Sequence, residues 1–134
     1  MSGLGFLFFA IGTMLGASMR WALGVLLNAT FSPIPPGTLT ANLIAGYVVG
    51  IGVGVFSQIP TLGPEWRLLV ITGFCGGLST FSTFSAEIAS LLQQARFGAM
   101  AAAIGLHVGG SLLATLGGIA SARWVITATS GVQS

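Results

Sequence analysis

Four apolar runs, each about twenty residues long, fill almost all of this chain, and that length matches the roughly 30 Å hydrocarbon core of a bilayer. The hydropathy pattern places the spans at about 5–27, 38–56, 66–94 and 99–125, followed by a polar tail at 126–134. The breaks carry loop chemistry. "NATFSPIPPG" holds prolines 33, 35 and 36, "SQIPTLGPEW" separates the second and third runs, and "ARFG" makes a short turn before the fourth. The first run lacks the positive start and small-residue cleavage site of a secretory signal, so it is expected to be a retained span. The predicted architecture is one all-α integral membrane domain with four transmembrane helices per subunit.

Charge is consistent with that architecture. The 134 residues include four arginines, two glutamates, no lysine and no aspartate, too few charges to cover a soluble surface. The arginines are scattered singly, which excludes the clustered basic patch of a nucleic-acid partner. Cys75 is the sole cysteine, so there is no intrachain disulfide and no cysteine-based metal cage. With four spans, Arg67 and Arg123 fall at one membrane face, and Arg20 and Arg96 fall toward the other. That tie gives the positive-inside rule nothing to act on. A chain without a preferred orientation can insert both ways, which permits an antiparallel homodimer about a two-fold axis in the membrane plane.

Glycines at Gly12/Gly16, Gly46/Gly50/Gly54 and Gly105/Gly109 repeat the small-xxx-small spacing through which helix backbones approach closely in lipid. Polar side chains inside spans are fewer and point to function. Thr38 and Asn42 are one turn apart on the second run, and His107, Ser111 and Thr115 form an i, i+4, i+8 stripe on the fourth. The stripe is either a polar track or interhelical glue. His107 alone does not make a metal site, having no second ligand near it in sequence. Arg20 and Glu87 are the deepest charges, and pairing would lower the cost of both. Glu87 is otherwise a candidate proton-coupling carboxylate.

The third run contains "GFCGGLSTFSTFS" at 73–85. Gly73, Gly76 and Gly77 weaken the helix, predicting a break, and non-helical backbone at membrane depth is tolerated only inside protein or along an aqueous cavity. Unwound carbonyls of this kind coordinate Na⁺ in transporters. Beyond the break, Phe81 and Phe84 share a face, interleaved with hydroxyls that include Ser82. Ring edges are electropositive, so the pair suits an anion without the full charge that would trap it.

Over nearly its whole length the chain resembles the Fluc (CrcB) family of fluoride channels, through "GASMRW", "GTLTANLIAG" and above all "GFCGGLSTFSTFS". The resemblance implies a dual-topology antiparallel homodimer with two pores. It also implies a fluoride-selective channel in the cytoplasmic (inner) membrane of a bacterium, exporting fluoride passively to relieve its toxicity. A structural Na⁺ is implied at the dimer interface, held by backbone carbonyls at Gly76 and Ser79. Phe81 and Phe84 match the pore phenylalanines and Asn42 the pore asparagine. His107 and Ser111 fall on a polar track, Thr38 at the vestibule, and Arg20 at an arginine of structural or electrostatic role. Ala103 stands where the family has a tyrosine.

Two other classes fit four short spans: a small proton-coupled multidrug exporter and a structural assembly subunit. The exporter needs an acidic residue in the first span, yet none precedes Glu65. The structural subunit explains the glycine rows but not the repeated Ser-Thr-Phe unit. Proton-coupled fluoride transport is a third alternative, and it predicts a pH-dependent flux.

Overall fold

Ser2 starts the first helix: its Oγ accepts the Gly5 N–H at 3.0 Å, taking up one of the donors that a helix start leaves free. The computed structural model describes residues 1–30 and 32–131. Helix α1 covers Gly3–Leu27. Helix α2, Pro36–Gln58, begins with a proline whose missing N–H costs nothing there, and the Asn28 side chain reaches across the loop to accept from Gly37 N–H at 2.7 Å. The third span occupies Pro64–Gln93. Its first part, α3, runs continuously through Pro64–Arg67, Leu68–Cys75 and Gly76–Leu78, with the middle stretch widened to π-helical geometry. Ser79 and Thr80 are extended (ψ 154° and 111°), and α4 follows as Phe81–Gln93. Helix α5 spans Phe97–Ser130 and widens in the same way at Gly105–Gly109.

Among the described residues all regular structure is helical, and four segments are long and apolar enough to cross a membrane. The turn from α4 to α5 is tight. Ala95 adopts φ 52°, and the amides of Arg96 and Ala95 return to the carbonyls of Leu91 and Leu92 at 2.9 and 3.0 Å, a Schellman closure built without glycine. Helix α5 continues past Val125, the end that hydropathy predicts. Thr129 and Ser130 hydroxyls bond back to Val125 and Ile126 carbonyls, which extends the last turns into the polar tail. Residues 132–134 of that tail lie outside the described residues.

Packing uses two of the three glycine rows. On α1, a Cβ at Gly12 or Gly16 would overlap the carbonyl oxygens of Leu69 or Phe74, and α3 answers with Gly73 and Gly77 against Phe9 and Thr13. On α2, Gly46, Gly50 and Gly54 lie against Ser111, Thr115 and Ala122 of α5, where Gly118 supplies a matching gap facing Tyr47. Such contact is how helices associate in lipid, where packing is the driving force. Gly105 and Gly109 face open space, with nothing within 4 Å of a Cβ built there. Ala41, Ala45, Cys75 and Leu78 form the buried centre, where α2 meets the end of α3.

Candidate functional site

The interruption of the third span is organised by one side chain of α2. In a continuous helix the Thr80 N–H would return to the Gly76 carbonyl. Here it donates to Asn42 Oδ1 at 2.7 Å, and Asn42 Nδ2 lies 3.3 Å from the Thr80 carbonyl oxygen. The side-chain amide thus pairs with both polar backbone groups of the extended residue, as a neighbouring strand would. Gly77 O, which would accept from Phe81 in a continuous helix, accepts Arg20 Nε at 3.0 Å instead. Thr80 then caps α4, its Oγ1 accepting the Thr83 N–H at 3.2 Å.

The two Ser-Thr-Phe units are therefore not equivalent. The first supplies the extended residues and the cap, and the second lies within α4. Thr80 carries this arrangement, though sequence reasoning placed no site role on it. The available signal was a threonine after a glycine run and three residues before Thr83, a helix-start pattern in mid-span.

A cavity of about 430 Å³ lies beside this point, with Asn42, Ser79, Phe81, Phe84, His107 and Ser111 in its wall. Phe81 and Phe84 stand 5.6 Å apart with planes at 57°, and Phe84 packs on His107 at 4.7 Å and 36°. His107 comes from the π-widened part of α5, and its Nδ1 lies 3.0 Å from Asn42 Nδ2. Phe84 is buried while Phe81 is 78% exposed, so the aromatic pair bridges the interior and the surface of the chain. Gly76 and Ser79 also line this cavity and are exposed.

Other expected residues fall elsewhere. Thr38 is buried and donates Oγ1–H to Glu87 Oε1 at 2.6 Å. Arg20 and Glu87, expected to be partners, are not paired: the guanidinium is taken by the Gly77 carbonyl, the carboxylate by Thr38. The reason is local, since each charge lies one side chain away from a complementary group on a packed neighbour. Arg20 and Thr38 line a second cleft, of about 430 Å³, and Glu87 and Arg96 line a third. Ser82 is exposed and stands 3.4 Å from Thr80 Oγ1, outside the first cavity's wall. In the α5 stripe Thr115 acts as glue, its hydroxyl meeting the carbonyls of Gly46 at 3.0 Å and Ser111 at 2.9 Å.

A family model described as CrcB-like protein, Camphor Resistance (CrcB), matches residues 7–119, from α1 to well into α5. The chain belongs to the CrcB (Fluc) family. The matched CrcB region contains every residue of the cavity and of its supporting hydrogen bonds. A protein of Nitrosomonas europaea, named fluoride-specific ion channel FluC, is 62% identical over 115 residues, covering 86% of this chain and 91% of that protein. One of Pseudomonas aeruginosa with the same name is 60% identical over 117 residues, covering 87% and 92%. A third, from Chromobacterium violaceum, is 57% identical over 116 residues, covering 87% and 92%. The relatives of this CrcB chain are named ion channels, not enzymes.

Proposed function

We propose that the chain is a fluoride-specific ion channel subunit that lets fluoride leave the cell passively, down its own gradient, across the cytoplasmic membrane of a bacterium. The observation that carries this reading is the near full-length identity of 57–62% to proteins named fluoride-specific ion channels. The cavity beside the interrupted span supports it chemically. Fluoride is a small, strongly hydrated acceptor, so a pore must replace its water with closely spaced donors. The hydroxyl of Ser111 and the ring edges of Phe81 and Phe84 are donors of that kind, while Asn42 lines the same wall with its amide hydrogens directed to the Thr80 carbonyl and His107. Dipoles in place of fixed positive charge keep binding weak enough for the ion to leave. His107 belongs to the same lining, whereas Thr38 lines the second cleft and Ser82 stands outside the first cavity's wall.

The subunit works as an antiparallel homodimer with a broken third helix at its centre. Two features support this. The arginine tie removes an orientation signal. Extended backbone at Ser79, with Gly76 and Phe81 also exposed, is unsuited to lipid and needs a covering surface, which a second copy supplies. A structural Na⁺ at that interface fits the donors present, because diverting the Thr80 N–H to Asn42 leaves the Gly76 carbonyl without its intrahelical donor, and Ser79 O lies on the extended segment. Carbonyl oxygens suit Na⁺, which would hold the two broken helices together. Arg20 and Glu87 have structural and electrostatic roles at the two sides of the interruption.

The test is efflux from liposomes loaded with potassium fluoride, started with valinomycin to carry the counter-ion and followed with a fluoride electrode, beside a chloride-loaded control. Fast fluoride release without chloride release is the expected result. A well-folded dimer that releases neither ion would overturn the reading.

A further inference from the structure

His107 is the single histidine of the chain and is 4% exposed. Its two ring nitrogens have unlike surroundings. Nδ1 lies 3.0 Å from Asn42 Nδ2, whereas Nε2 is buried and has no hydrogen-bond partner among the described residues. Which nitrogen bears the proton is decided at Thr80. A backbone N–H can only donate, so the end of the Asn42 amide 2.7 Å from Thr80 N must be the oxygen. The other end is then the NH₂ group, whose two hydrogens point to the Thr80 carbonyl and to His107. Facing a donor, Nδ1 must offer its lone pair, and a neutral imidazole with its lone pair on Nδ1 carries its hydrogen on Nε2. An imidazolium would set Nδ1–H against the amide hydrogens.

We propose that His107 is a neutral N–H donor to the permeating anion, its Nε2–H tautomer fixed through Asn42 by the Thr80 amide. This rests on the fluoride-channel reading and adds to it a specific donor atom and the groups that orient it. Fluoride only accepts hydrogen bonds, and a buried N–H without a partner is costly until something accepts from it. A neutral ring supplies that donor without the charge that would hold the ion in place. Nε2 is covered in this structure, so the ion reaches it from the cavity that His107 lines as a neighbouring group yields.

A single histidine makes the test direct. In protein carrying ¹⁵N-histidine, the expected spectrum has a pyridine-type nitrogen at Nδ1 and a protonated, pyrrole-type nitrogen at Nε2. The Nε2 signal shifts with added potassium fluoride and not with potassium chloride. The opposite tautomer, a charged ring or a spectrum indifferent to fluoride would overturn the proposal, and this holds even if substitutions at the site fail to assemble. In the liposome assay, His107→Leu is expected to slow fluoride release roughly tenfold, the order of a lost hydrogen bond to a charged group, with His107→Gln recovering part of the rate. A His107→Leu channel at the wild-type rate would remove the donor role and leave the fluoride-channel reading standing. A wild-type protein that releases no fluoride would overturn both.

Discussion

Asn42 Oδ1 accepts the backbone N–H of Thr80 at 2.7 Å, so a side chain of the second span takes the hydrogen bond that would otherwise continue the third helix. Replacing Asn42 with alanine leaves that N–H buried without a partner and should cost about 1–3 kcal/mol. Asn42→Asp keeps the acceptor for the Thr80 N–H but loses the donors toward the Thr80 carbonyl and His107. It should therefore recover only part of the stability and little of the fluoride flux. Denaturant unfolding in detergent and liposome efflux, measured on the same two variants, check the split.

The aromatic pair bears on conduction more than on folding. Phe81→Ile and Phe84→Ile should each abolish fluoride release while the protein elutes on size exclusion as the wild type does, because an aliphatic side chain keeps apolar volume but has no electropositive ring edge. A double variant that conducts at the wild-type rate would sink the assignment of these rings to the pore.

Glu87 accepts from Thr38, and a glutamine carbonyl can accept the same hydrogen. Glu87→Gln should accordingly conduct close to the wild-type rate, and wild-type flux should not change with pH across the neutral range. Loss of flux in that variant, together with a pH-dependent wild type, would favour proton-coupled transport.

Gly50 and Gly117 are both helical glycines with opposite surroundings. A methyl at Gly50 would overlap the Thr115 carbonyl oxygen and crowd Gly118, whereas nothing lies within 4 Å of one at Gly117. Gly50→Ala should destabilise the fold by roughly 1–3 kcal/mol, the usual cost of overpacking. Gly117→Ala should be neutral or stabilising by up to about 1 kcal/mol through helix propensity. Thermal unfolding of the two proteins in one detergent makes the comparison.

The sequence alone determined the number of spans, because four apolar runs of bilayer length with six charges leave the backbone no other way to satisfy its hydrogen bonds in lipid. Glycine spacing likewise made two of the helix contacts legible, since only a missing Cβ lets backbones approach so closely. Tertiary structure decided partners. The Arg20 guanidinium meets the Gly77 carbonyl and not Glu87, Thr115 is glue while Ser111 lines the cavity, and Thr80 anchors the interruption. Periodicity assigns a side chain to a face of its own helix. Which carbonyl or amide waits opposite depends on how the helices are rotated and offset against one another, and residues as far apart as Asn42, Thr80 and His107 meet only once packing has set both.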